Sequence, residues 1–86
     1  MKITPCDYSR LKSLLLETVN NQDIKPISSY EMGSISYIWD IYHFTLDNMQ
    51  INNRINDYLF LRNLYSYLDD NTLNTALKRI LITERR

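Results

Sequence analysis

Asp40, His43 and Asp47 are the residues of this chain best placed, by type and spacing, to do chemistry. On a helix, steps of three and four put all three side chains on one face. Either carboxylate could then orient the imidazole as a general base. The rest of a catalytic apparatus is missing from the sequence. No nucleophile sits at matched spacing, there is no second His to share a metal, and no glycine-rich loop could cradle a phosphate. The sequence therefore assigns no catalytic, cofactor-binding or metal-ligating residue. It reads the cluster first as a charged, solvated helix face.

A different chemistry, recognition, is carried by the aromatics. Seven Tyr and one Trp in 86 residues exceed what a core of this size requires. Tyr suits recognition surfaces because it buries a large area with few rotatable bonds and keeps a polar tip. It also suits the half-buried edges of helices in a small bundle, and both readings stay open. Tyr37 and Phe44 flank Asp40, His43 and Asp47, so an aromatic-rimmed acidic strip is expected, with Asp69 and Asp70 as a second acidic spot. These seven residues are the candidate partner-binding set.

The element that must position the strip is Ile35–Met49, which holds the only Trp and the only His. Strand-like alternation of Ile35, Tyr37, Trp39 and Ile41 competes with a helical reading. The helix prevails because Ser36, Asp40, His43, Asp47 and Gln50 follow at steps of four, three, four and three, forming one narrow polar stripe. A strand would put Asp40 and His43 on opposite faces. The remaining arc is apolar, with Ile35, Ile38, Trp39, Tyr42, Leu46 and Met49 at its centre and Tyr37, Ile41 and Phe44 on its flanks. So wide an arc belongs to a helix on which the others pack.

Three further helices follow from capping and periodicity. Thr4-Pro5-Cys6-Asp7 starts the first, about Pro5–Asn20, with Tyr8, Leu11, Leu14, Leu15, Thr18 and Val19 lining one face. The chain is extended before Pro26. Ser28 with Glu31 reads as a capping box for the second helix, with Gly33 marking either a costly helical position or a short turn before Ser34. Asn52 or Asn53 can cap the third, roughly Arg54–Leu68. Its apolar side gathers Tyr58, Phe60, Leu61, Leu64, Tyr65, Tyr67 and Leu68, and leaves Leu59 on the wet side. Asp69-Asp70-Asn71-Thr72 starts the fourth, about Asn71–Thr83, burying Leu73, Ala76, Leu77, Ile80 and Leu81. Short connections favour antiparallel neighbours, so the expected fold is all-α, a small four-helix antiparallel bundle forming a single domain over residues 1–86.

Composition narrows the function classes. Lys plus Arg equals Asp plus Glu at 10 each, so the chain lacks the basic excess of a dedicated nucleic-acid binder. The basic group Lys78, Arg79, Arg85 and Arg86 is explained as well by a helix C-terminus, which argues against specific nucleic-acid binding. Zero net charge gives little colloidal repulsion and leaves a homodimer among the expectations. The single Cys6 excludes an internal disulfide and suits a reducing compartment. With no signal-peptide core and no membrane-length apolar run, a cytoplasmic location with no membrane partner is expected.

The segment YSYLDDNTLNTALKRIL, Tyr65–Leu81, resembles the C-terminal end of small bacterial toxin-immunity proteins of the colicin D type. There too an aromatic-bearing helix runs into an acidic turn and a final amphipathic helix, with apolar residues spaced like Leu73, Leu77, Ile80 and Leu81. The resemblance implies an α-helical bundle that binds its cognate toxin nuclease domain and blocks the active site with acidic residues. This chain departs from that pattern in having no net acidity. The expected function is a protein-binding inhibitor, an immunity factor rather than an enzyme. Two alternatives stay open: a phage- or plasmid-encoded accessory protein with a nucleic-acid-linked role, and a homo-oligomeric structural subunit.

Overall fold

The computed structural model describes residues 3–24 and 35–83, with the side chains of Ile35, Ser36 and Thr83 excepted. The expected capping box Ser28–Glu31, Gly33, Arg85 and Arg86 lie outside the described residues. Among the described residues there are four helices, α1 (Pro5–Asn21), α2 (Ile35–Ile51), α3 (Ile55–Tyr67) and α4 (Asp70–Lys78), and α4 continues into one turn of π-helix at Arg79–Thr83. The described residues contain no strand, and the fold they form is all-α.

Each helix end has a local cause. Thr4 caps α1, accepting the Asp7 N–H at 3.1 Å, with Pro5 at the first helical position. Asp7 does not return the bond to the cap; its carboxylate accepts the Tyr67 hydroxyl at 2.9 Å and ties α1 to the end of α3. Helices α1 and α2 both stop at a left-handed residue, Asp23 (φ 52°) and Asn53 (φ 59°). In each case the following N–H reaches back five residues, Ile24 to Val19 at 3.0 Å and Arg54 to Met49 at 2.7 Å, closing a Schellman motif. Asn53 therefore terminates α2 rather than capping α3. Asn tolerates the left-handed region better than most residues, and that use of its backbone leaves Arg54 at the N-cap of α3 with no side-chain cap bond. Asp69 caps α4 by accepting the Thr72 N–H at 2.6 Å.

Helix α2 packs against α1, α3 and α4, the central position its wide apolar arc calls for. Buried residues of all four helices join in one core cluster. The buried face of α2 is turned relative to the expectation: Ile41 and Thr45 lie in the core beside Ile38, Tyr42 and Met49, while Trp39 and Leu46 are only half-buried. Thr45 is fully buried at no polar cost because its hydroxyl donates to the Ile41 carbonyl at 2.8 Å. On α3 the buried set is narrower than expected, Leu61 and Leu64 with Leu68 just beyond. Tyr65 and Tyr67 are exposed, and so is Leu59 on the wet side. On α1 the face from Leu11 to Val19 is buried and Tyr8 is half-buried, and on α4 Leu73, Ala76 and Leu77 are buried as their spacing requires.

One electrostatic network ties α1 to α3. Arg10 donates to the Asp57 carboxylate at 3.0 Å, and Arg54 reaches the same carboxylate at 2.9 Å and Glu17 at 2.6 Å. The hydrogen bond from Arg10, supported by Arg54, holds the Asp57 carboxyl below the usual carboxylate range. A carboxyl whose pKa is lower folded than unfolded stabilises the fold above its unfolded value. That contribution is complete above about pH 4 and is lost as the pH falls further. Asp57→Asn is expected to cost about 0.5–1 kcal/mol at neutral pH and to narrow the loss of melting temperature in acid. Superimposable melts of the two proteins at pH 7 would show that the network contributes nothing.

Candidate functional site

The outward face of α2 carries the strip expected from the sequence. Asp40, His43, Asp47 and Gln50 are all exposed, as are Tyr37 and Phe44. Ile51 joins them, 77% exposed, seven residues beyond Phe44. Tyr37, Asp40, Phe44, Asp47 and Ile51 thus follow at steps of three, four, three and four, an exposed seam in which apolar and acidic residues alternate. Ile51 lies outside the seven candidate residues, although its spacing from Tyr37 and Phe44 puts it on their seam.

The contact that would make His43 an oriented base is not formed. Among the described residues no hydrogen bond or ion pair joins it to Asp40 or Asp47. Its neighbours are rings instead. His43 lies 5.7 Å from Tyr42, 6.3 Å from Trp39 and 6.4 Å from Tyr65, measured between ring centroids. Trp39 meets Tyr42 edge-on at 5.8 Å, and Tyr65 edge-on at 5.9 Å with the planes 89° apart. Such T-shaped contacts are favourable beyond the area they bury. The cluster is fastened to the core by the Tyr42 hydroxyl, which donates to the Leu61 carbonyl of α3. Burial, reinforced by nearby Tyr65, pushes the Tyr42 phenol well above its usual pKa and keeps it neutral.

Where α2, α3 and the first turns of α4 converge, an open depression of about 350 Å³ is lined by Trp39, His43, Tyr65, Asp70, Asn71 and Asn74. The fold therefore brings His43 and Asp70, two residues of the candidate set far apart in sequence, to one concavity. Trp39, Tyr65, Asn71 and Asn74 complete it; Asn74 shares a face of α4 with Asp70, four residues before it, whereas periodicity gives no link from Trp39 to Asp70. Asp69 stands just outside, engaged as the α4 cap; the hydrogen bonds from Thr72 hold its carboxyl below the usual range. Asp40 and Asp47 lie one turn to either side of His43 along α2.

The acidic groups fall into two sets. Glu17 and Asp57 are ion-paired within the α1–α3 network. Among the described residues Asp40, Asp47 and Asp70 have no ion-pair partner. Asp7, Asp23 and Asp69 also lack an ion pair among the described residues, Asp7 being bonded to the Tyr67 hydroxyl and Asp69 to the Thr72 N–H; what sets Asp40 and Asp47 apart is the exposed rings of Tyr37 and Phe44 beside them on α2. Elsewhere, Cys6 is exposed in the first turn of α1, and Arg79 lies over the Tyr8 ring at 5.2 Å. Among the described residues no three metal-ligating side chains converge, and no helix is long and apolar enough to cross a membrane. No protein family, curated protein or solved structure matches this chain.

Proposed function

We propose that this chain is a small protein-binding inhibitor of the toxin-immunity kind, acting in the cytoplasm. The outer face of α2 and the adjoining start of α4 would engage a basic surface of the partner, such as the substrate groove of a nuclease. One observation carries the reading: Asp40, Asp47 and Asp70 have no ion-pair partner among the described residues and stand beside exposed rings, Tyr37 and Phe44 on α2 and Tyr65 at the depression. Glu17 and Asp57, by contrast, are neutralised internally. Charge left unpaired next to apolar anchors suits a complementary partner, for which electrostatics sets encounter and register while the anchors supply affinity. Local charge of this kind works without net acidity, because field is focused by the patch rather than by the whole molecule. The short connections between α2 and α3 and between α3 and α4 support an antiparallel course for these neighbours, the arrangement we take for the bundle.

Asp40→Ala combined with Asp47→Ala tests the reading, with the product of the gene adjoining this one as the partner assayed. The wild-type chain is expected to bind that protein and suppress its toxicity on co-expression. The double variant is expected to lose about 2–5 kcal/mol of binding free energy. Its melt should stay within about 0.5 kcal/mol of wild type for each exposed position. Unchanged affinity with a normal melt would remove α2 from the interface.

A further inference from the structure

We propose that the depression between α2, α3 and α4 is a receptor for one arginine side chain projecting from the partner. This deepens the inhibitor reading, on which the arginine's belonging to a protein partner rests. The chemistry of the receptor stands apart from it. The walls are aromatic: Trp39 and Tyr65 meet edge to face at 5.9 Å, with the His43 ring beside both. Faces of Trp and Tyr attract cations, and a guanidinium more readily than an ammonium because it is planar and weakly hydrated.

Among the polar groups of the lining, the Asp70 carboxylate only accepts, while the amides of Asn71 and Asn74 and the His43 imidazole can each accept or donate. Asp70 lines the depression with no ion-pair partner among the described residues. Asn74 also lines it, and its Oδ1 is buried without a hydrogen bond. An unpaired buried acceptor gains by meeting a donor, and the soft amide torsion of Asn allows its oxygen to turn toward one entering the depression. A guanidinium carries five N–H donors in a fixed plane, enough for a bidentate bond to Asp70 and another to Asn74 while a wall covers its face.

The alternative ligand chemistry, an anion at the start of α4, is disfavoured by the same geometry. The Thr72 N–H that would greet an anion is taken by the Asp69 cap at 2.6 Å, and Asp70 would repel the newcomer. Size and openness agree with a side chain entering from a partner's surface. A volume of about 350 Å³ lies at the small end of ligand sites, and the mouth faces solvent.

The test uses N-acetyl-arginine methylamide as the probe and its neutral isostere, N-acetyl-citrulline methylamide, as the control. Emission of Trp39, the only Trp, and the NMR signals of its indole and of the Asn74 amide report binding. Saturable shifts of these signals with the arginine probe and none with citrulline are expected. Asp70→Asn and Tyr65→Leu, both exposed positions, should each weaken the probe about tenfold, the scale of one lost charge-assisted or cation–π contact. Equal responses to the two probes, shifts centred elsewhere, or undiminished binding by Asp70→Asn in a protein of normal melt would overturn the proposal. Affinity for the adjoining gene product, measured in parallel, separates the two claims. Arginine binding without that partner sustains the receptor and removes the inhibitor reading, and partner binding without an arginine response does the reverse.

Discussion

Tyr42→Ala is expected to cost about 3–5 kcal/mol of folding free energy, the range for truncating a large aromatic in a packed core. Tyr42 is 1% exposed, at the centre of the helix that touches the other three. Its ring packs against Trp39 and Tyr65, and its hydroxyl bonds the Leu61 carbonyl across to α3. Truncation leaves a ring-sized void where those elements meet, and it removes the tie between α2 and α3. A domain of this length has roughly 4–13 kcal/mol of stability in all, so the variant should lie near the edge of folding. Tyr42→Phe separates the two losses. It keeps the ring and gives up only the hydroxyl bond, at about 1 kcal/mol.

The same residue sets an alkaline limit. The folded phenol has a raised pKa, so its stabilising contribution is intact below the unfolded value, about pH 10, and declines as the pH rises above it. The wild-type melting temperature should therefore fall more steeply above pH 10 than that of Tyr42→Phe. Chemical denaturation of the three proteins at pH 7 and pH 11 checks both statements. A cost below about 1 kcal/mol for Tyr42→Ala would show that α2 is not the centre of the packing.

Ile82→Ala is the second large effect, at about 2–4 kcal/mol, and it depends on the π-helical turn. In a regular α-helix neighbours are rotated by about 100°, so Ile80, Leu81 and Ile82 would span some 200° and one of them would face water. Through Arg79–Thr83 the helix widens, the rotation between neighbours shrinks, and all three side chains are buried, Ile82 at 7% exposure. The turn packs back on α1, which supplies the apolar surface that holds it in place. Leu59→Ala provides the contrast, because Leu59 is exposed on α3 and its loss should stay within about 0.5 kcal/mol. Equal, small effects at both positions in denaturant titrations would mean that α4 continues as a regular helix and that Ile82 faces solvent.

Both predictions concern residues whose environment periodicity describes only in part. The steps of three and four from Asp40 to Gln50 show that α2 is a helix and which of its faces is wet, and the structure agrees on both. Thr4, Pro5 and Asp69 mark helix starts by chemistry that needs no neighbour, since a cap serves the backbone a few residues on. Thr45 escaped notice because burial of a hydroxyl depends on a bond within the helix that type and spacing do not announce. Asn53 was legible as a boundary but not as the end of one helix rather than the cap of the next. Regular α-helical spacing gives Ile82 no place on the buried face of α4, and the π-helical turn that buries it leaves no mark in the periodicity.

The sequence by itself determined four helices, most of their buried faces, and an exposed acidic strip with aromatic flanks on the second. Tertiary structure alone decided that Tyr65 stands against Trp39 and His43, that Asp70 and Asn74, one turn apart on α4, open onto the same depression as those rings, and that Glu17 and Asp57 are neutralised by Arg10 and Arg54. The physical reason is that a hydrophobic period reports how one helix is turned toward its own core. It carries no information about the axial offset and rotation between helices, and those two quantities set which side chains of different helices come within contact distance.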